Sequence, residues 1–161
     1  KEKGFDIAVE NIQQWTEVNP NFKIFFMGEE SKIYLNRFTK ELSNSIFLPQ
    51  SFNTQNFYKS VDLVLFLSTA PEGTPLVVLE ALSFDVGVIA FPIKGVIEIL
   101  GNDYPLYIKR SEDVIDKLKL YYSDKINLDK LRLIHKSICL KNNFTQMLKN
   151  IDEAYKSFLV K

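Results

Sequence analysis

Cysteine is nearly absent: Cys139 stands alone among 161 residues, so no intramolecular disulfide can form and a reducing, cytoplasmic setting is expected. No apolar run approaches the roughly 20 residues that a membrane-crossing helix needs, and no segment reads as a signal peptide. Net charge is missing as well. Twenty Lys and Arg balance 20 Asp and Glu, which leaves no basic field to attract nucleic acid, so that partner is not expected. Repeats, low-complexity tracts and linkers are lacking, and the length suits one domain with its own core. The acidic pair Glu29-Glu30 has no histidine or further carboxylate cluster beside it, so a metal site is not expected there.

What is present is an alternation of helical and strand periods. Phe5, Val9, Ile12 and Trp15 recur at helical spacing and predict an amphipathic helix over 4–18, ended by Asn19-Pro20. A buried strand is predicted over 22–27, a helix over 31–42, a strand over 46–48 and a short helical piece over 56–60. Then follow an apolar strand over 61–68, a central helix over 76–84 and a strand over 87–91 closed by Pro92. The remainder reads as a short helix over 96–100, an edge strand over 106–108, and a helix capped by Ser111 and running to Tyr122. Two closing helices are predicted over 128–140 and 144–159. This order predicts an α/β fold, a Rossmann-like parallel sheet with helices on both faces. Ligands of such sheets bind beyond the carboxyl ends of the strands, where loops 28–30, 49–51, 69–74 and 92–95 would gather.

One stretch organises the rest: Pro71-Glu72-Gly73-Thr74-Pro75-Leu76-Val77-Val78-Leu79-Glu80-Ala81-Leu82. Thr74 suits an N-cap and Pro75 the first helical position, where its missing N–H costs nothing. The free amides of that helix start make an anion site. Glu80 is the only charge in an otherwise apolar helix, beside Leu76 and Ser83 on a narrow stripe, and Glu72 lies in the loop ahead. A buried carboxylate costs several kcal/mol unless it is paired or faces a wet cleft. The pair suits a ligand with an anionic middle and hydroxyls at both ends, the shape of a nucleotide-sugar. Spacing alone favours the plainer alternative, a solvated edge glutamate and an ordinary loop acid. His135, among apolar neighbours on a helix, reads as a packing residue, Cys139 as inert, and Tyr121-Tyr122 as core.

The same residues carry a resemblance. Glu72 and Glu80 form an E-x7-E pattern within Ser68-Thr-Ala-Pro-Glu-Gly-Thr-Pro-Leu-Val-Val-Leu-Glu-Ala-Leu, preceded by the Asp62 strand. This resembles the donor-site signature of group 1 retaining glycosyltransferases of the GT-B fold. The resemblance implies that Glu72 bonds the transferred sugar, with Glu80 on the ribose hydroxyls. It further implies that amides around Gly73, Thr74 and Leu76 hold the phosphates, Lys3 neutralises the diphosphate and Ser51 lies near the nucleobase. Lys94-Gly95-Val96-Ile97-Glu98 is similar to a family loop that approaches the sugar. Three positions depart from the family pattern: Pro75 removes one phosphate-binding N–H, Asp85 replaces a turn glycine, and Gly87 replaces a proline. Aspartate tolerates left-handed turn geometry, so the fold is expected to survive.

The expectation is therefore one half of a GT-B glycosyltransferase, with no cofactor or metal and a nucleotide diphosphate sugar as substrate. The resemblance implies that the family's first strand and its arginine, together with an acceptor-binding domain, lie outside this sequence. A glycan or glycolipid acceptor would then be met through that domain, and so would any contact with the inner face of a membrane. The piece alone would be inactive. Two alternatives stand beside this: a nucleotide-sugar epimerase on the same architecture, and a non-catalytic module that binds a nucleotide-sugar or a protein.

Overall fold

The first apolar stripe folds into helix α1 (Phe5–Val18), and Ala8, Val9, Ile12 and Thr16 turn from one face of it into the core. Residues 4–28, 44–49, 53–123 and 126–159 are described by the computed structural model. The helix predicted over 31–42, Lys3, the Glu29-Glu30 pair and Ser51 lie outside the described residues. Gly4 precedes α1 with φ 73°, and a Cβ there would overlap the Leu67 carbonyl, so this entry to the helix requires glycine. At the far end Asn19 donates its side-chain amide to the Trp15 carbonyl at 2.9 Å, pairing a carbonyl that the helix leaves over.

Two parallel ladders follow. Strand β1 (Ile24–Gly28) pairs with β2 (Ser45–Pro49), Ile24 opposite Ser45. Strand β3 (Leu63–Phe66) pairs with β4 (Gly87–Ala90), Leu63 opposite Gly87. Helix α2 (Thr54–Lys59) lies between the ladders in sequence and is capped by Asn53, whose Oδ1 accepts from the Asn56 amide at 3.0 Å. Helix α3 (Leu76–Ser83) is the crossover that parallel β3 and β4 require. Helices α4 (Lys94–Leu100), α5 (Asp113–Tyr122), α6 (Leu128–Lys141) and α7 (Phe144–Leu159) complete the chain. No helix among the described residues is long and apolar enough to cross a membrane.

The core centres on β4, buried along its whole length, as the continuous apolar run of a parallel strand requires. Val78, Ala81 and Leu82 of α3 join it, with Leu118 of α5 and the fully buried Leu106 and Ile108. Helix α6 packs on α3 and buries Leu131, His135 and Ile138.

Several expectations are corrected. The segment 106–108 is no strand: Tyr107 makes a single parallel bridge to Ala90. Pro105 has no N–H for a ladder, and the Asp113 carboxylate draws the Lys109 and Arg110 amides away at 3.0 Å each. Helix α5 begins at Asp113 with no side-chain cap, so Ser111 does not cap it, and the Ser111 hydroxyl turns to Glu112 instead. Those two amides hold the Asp113 carboxyl below its ordinary value. Tyr122 is exposed rather than core, although its ring meets Phe22 edge-on at 5.7 Å. Among the described residues no strand pairing joins the two ladders into one sheet.

Candidate functional site

The chain leaves β3 through Leu67 and Ser68, both 2% exposed, and turns through a loop to α3. In that loop the Glu72 carboxylate is half-buried and accepts from the Ser68 hydroxyl at 3.0 Å. The turn is held from the other side by α4. Gly95 packs so closely on the carbonyls of Glu72 and Gly73 that a Cβ on it would overlap both oxygens. Gly73 itself faces open space, and Thr74 is exposed.

Helix α3 starts one residue later than its sequence predicts. Pro75, not Thr74, is the N-cap, with φ −72° and ψ 102°, and no side chain caps the first turn. The first bond runs from the Val78 amide to the Pro75 carbonyl at 3.0 Å. The amides of Leu76 and Val77 precede it and are the donors this helix start has to offer. The two side chains are 65% and 42% exposed, although the helix they open is apolar on nearly every side. Helix α3 is buried through Val78, Ala81 and Leu82, and the stripe of Leu76, Glu80 and Ser83 faces outward.

Glu80 lies five residues into α3 and is half-buried. Its Oε2 accepts from the Tyr58 hydroxyl at 3.0 Å. Burial first, then this bond and the carboxylate's charge, push the Tyr58 phenol above its ordinary pKa, so it stays a donor at all working pH values. The sequence did not single out Tyr58, since its partner lies 22 residues away with no local pattern linking the two. Ser68 was quoted within the motif without a role; its four-residue spacing to Glu72 was the available signal.

His135 is settled as a packing residue. It is 1% exposed, with Nε2 3.2 Å from the Tyr104 hydroxyl, which in turn accepts the Val88 amide at 3.2 Å. Burial lowers the His135 pKa, and nearby Asp85 opposes that only in part. Cys139 is half-buried and its thiol is pushed up by burial, the behaviour of an unreactive cysteine. Among the described residues no His, Cys, Asp or Glu cluster has the makings of a metal site.

A separate apolar cavity of about 1090 Å³ opens between the ladders, lined by Ala8 and Ile12 of α1, Ile24 and Phe26 of β1, and Leu63 and Leu65 of β3. Neither Glu72 nor Glu80 lines it, although Tyr58 and Val77 do.

The loop and the helix start lie within a longer stretch of recognisable sequence. Residues 1–136 match the profile of the family described as glycosyl transferases group 1. The chain belongs to that family. An uncharacterized glycosyltransferase of Haemophilus influenzae is 29% identical over 126 residues, which are 73% of this chain and 35% of that relative. A glycosyltransferase from Rickettsia africae superposes with a TM-score of 0.78 at 21% identity, over 99% of this chain and 45% of that one. HepE of Anabaena, solved in complex with UDP-glucose, gives a TM-score of 0.78 at 16% identity, over 97% of this chain and 46% of that one. The α/β fold is thus that of GT-B glycosyltransferases, and this group 1 chain spans less than half the length of each of these relatives.

Proposed function

We propose that this chain is the donor-binding part of a retaining glycosyltransferase, which moves a sugar from a nucleotide diphosphate sugar to a glycan or lipid-linked acceptor. The observation that carries the reading is the pair of half-buried carboxylates on either side of the α3 start. Glu72 is anchored by Ser68 and Glu80 by Tyr58. Both of these anchors are neutral hydroxyls, and a carboxylate has more lone pairs than one such bond uses, so each can also accept from ligand hydroxyls. Glu72 would bond the transferred sugar and Glu80 the ribose, with the diphosphate on the amides around Gly73, Thr74 and Leu76. Lys3 and Ser51 complete the assignment at the phosphates and the base. In the reaction the bond from the anomeric carbon to the leaving diphosphate breaks, one to the acceptor oxygen forms on the same face, and the acceptor hydroxyl's proton passes to the departing diphosphate. The protein's part is to hold the donor and stabilise the departing diphosphate. The reading calls for no metal or organic cofactor. The membrane face and the acceptor are reached through a further domain, in a cytoplasmic setting.

In the intact enzyme Glu72→Ala should lower kcat about a hundredfold or more. An unchanged transfer rate would remove the catalytic role of Glu72. The absence of an N–H at Pro75 favours a second reading, a module that binds a nucleotide-sugar or a protein without turnover. A protein that binds UDP, GDP or ADP selectively, yet transfers no sugar to any acceptor as a full-length chain, would fit that reading instead.

The domain assignment has its own support. The cavity separates β1 from β3, and each of these strands has one edge unpaired among the described residues. An added parallel strand there, leading into α1 at Gly4, would close both ladders into one sheet; we place the family's first strand in that position. Amide exchange is the test. Amides of β1 and β3 should be better protected in the intact protein than in the 161-residue chain, and equal protection counts against the missing strand.

A further inference from the structure

Tyr58 is 2% exposed, and its hydroxyl reaches two acceptors, Glu80 Oε2 at 3.0 Å and the Val77 carbonyl at 3.4 Å. A phenol has one proton to give, and the nearer, charged oxygen takes it. The ring is fixed independently of that bond. It stacks on Phe84 with centroids 5.8 Å apart and planes 15° from parallel, and it meets Phe57 edge-on at 5.3 Å. The hydroxyl is thus a rigid donor aimed at a side chain that would otherwise sample many rotamers. Tyr58 is the only side chain among the described residues seen to bond the Glu80 carboxylate.

We propose that Tyr58 is a positioning residue for the donor nucleotide: by holding Oε2 of Glu80 it leaves Oε1 as the oriented acceptor for a ligand hydroxyl. The inference rests on Glu80 as a donor contact. Its physical content is preorganisation. A free glutamate surrenders rotamer freedom when it binds a ligand, whereas a tethered one has already done so.

Tyr58→Phe removes one oxygen and keeps both ring contacts, so it separates positioning from packing. The intact enzyme would be titrated calorimetrically with UDP, GDP and ADP, and its steady-state kinetics measured with the sugar derivative of the preferred nucleotide. Tyr58→Phe should weaken nucleotide binding and raise the donor KM about five- to tenfold, the scale of one net hydrogen bond. Its kcat should stay within about twofold of the parent, because the bond orients a binding group rather than the reacting atoms. Glu80→Ala should cost more, and Tyr58→Phe should add nothing in the Glu80→Ala background. Parental affinity in Tyr58→Phe, or a penalty that persists in full without Glu80, overturns the proposal while the donor site stands. Parental affinity in Glu80→Ala removes Glu80 from the donor site, and the proposal falls with it.

Discussion

At Gly95 a single methyl group would meet the carbonyl oxygens of Glu72 and Gly73, so the α4 start can approach the loop only because this residue has no side chain. Gly95→Ala should therefore displace the loop and destabilise the protein by about 1–3 kcal/mol, the usual range for forced overpacking. Gly73→Ala, which meets nothing within 4 Å, should leave the midpoint unchanged to within about 0.5 kcal/mol. Denaturant melts of the two variants check the contrast, and equal midpoints would mean that the loop is not clamped. Asp85 is the positive-φ position outside glycine among the described residues, at φ 59°. This agrees with the expectation that aspartate there accepts a left-handed turn. Two residues on, the Tyr121 ring fills the space beside Gly87, where a Cβ would stand 2.8 Å from it.

Element by element, the central unit is β3–loop–α3, and its energetics are divided. The inner face of α3 is held by packing, whereas its first turn has no side-chain cap and carries exposed Leu76 and Val77. Helix α2 shows the opposite arrangement: six residues long, it depends on the Asn53 cap. Asn53→Ala should cost about 1 kcal/mol and speed amide exchange at 54–59 more than elsewhere. Uniform exchange across the chain would contradict this. The strand and helix periods of these elements were legible because each element is either apolar throughout or apolar on one face. The start of α3 was misjudged by one residue, since Thr74 and Pro75 both satisfy local rules for a helix beginning. The exposure of Leu76 and Val77 was invisible for a related reason: an exposed apolar residue reads in sequence like one in a core.

For the molecule as a whole, His135 supplies the pH dependence of stability near neutrality. It is the sole histidine, and it is buried with its pKa lowered from 6.5. The folded protein therefore holds a neutral ring in the range where the unfolded chain already binds a proton. Its contribution is whole above pH 6.5 and is lost as pH falls through that value toward the lowered folded pKa. The slope cannot exceed about 1.4 kcal/mol per pH unit for one group. Urea midpoints should hold steady from pH 8 to about 7 and then fall, and His135→Gln should flatten that fall. A parent midpoint that stays flat down to about pH 5.5 would refute the buried neutral ring.

The sequence by itself determined that this is an α/β chain built around a strand, a two-glutamate loop-and-helix and a buried second strand. Hydrophobic period and turn chemistry are local properties, and they act before any distant contact forms. The family resemblance at Glu72 and Glu80 was equally local. Only the tertiary structure decided what holds those carboxylates: Ser68 at the end of β3, Tyr58 from another helix, and Gly95 pressed against the loop from beyond β4. It alone decided that segment 106–108 makes one bridge rather than a strand. These outcomes depend on which atoms meet across dozens of residues, and a distance of that kind leaves no period in the chain.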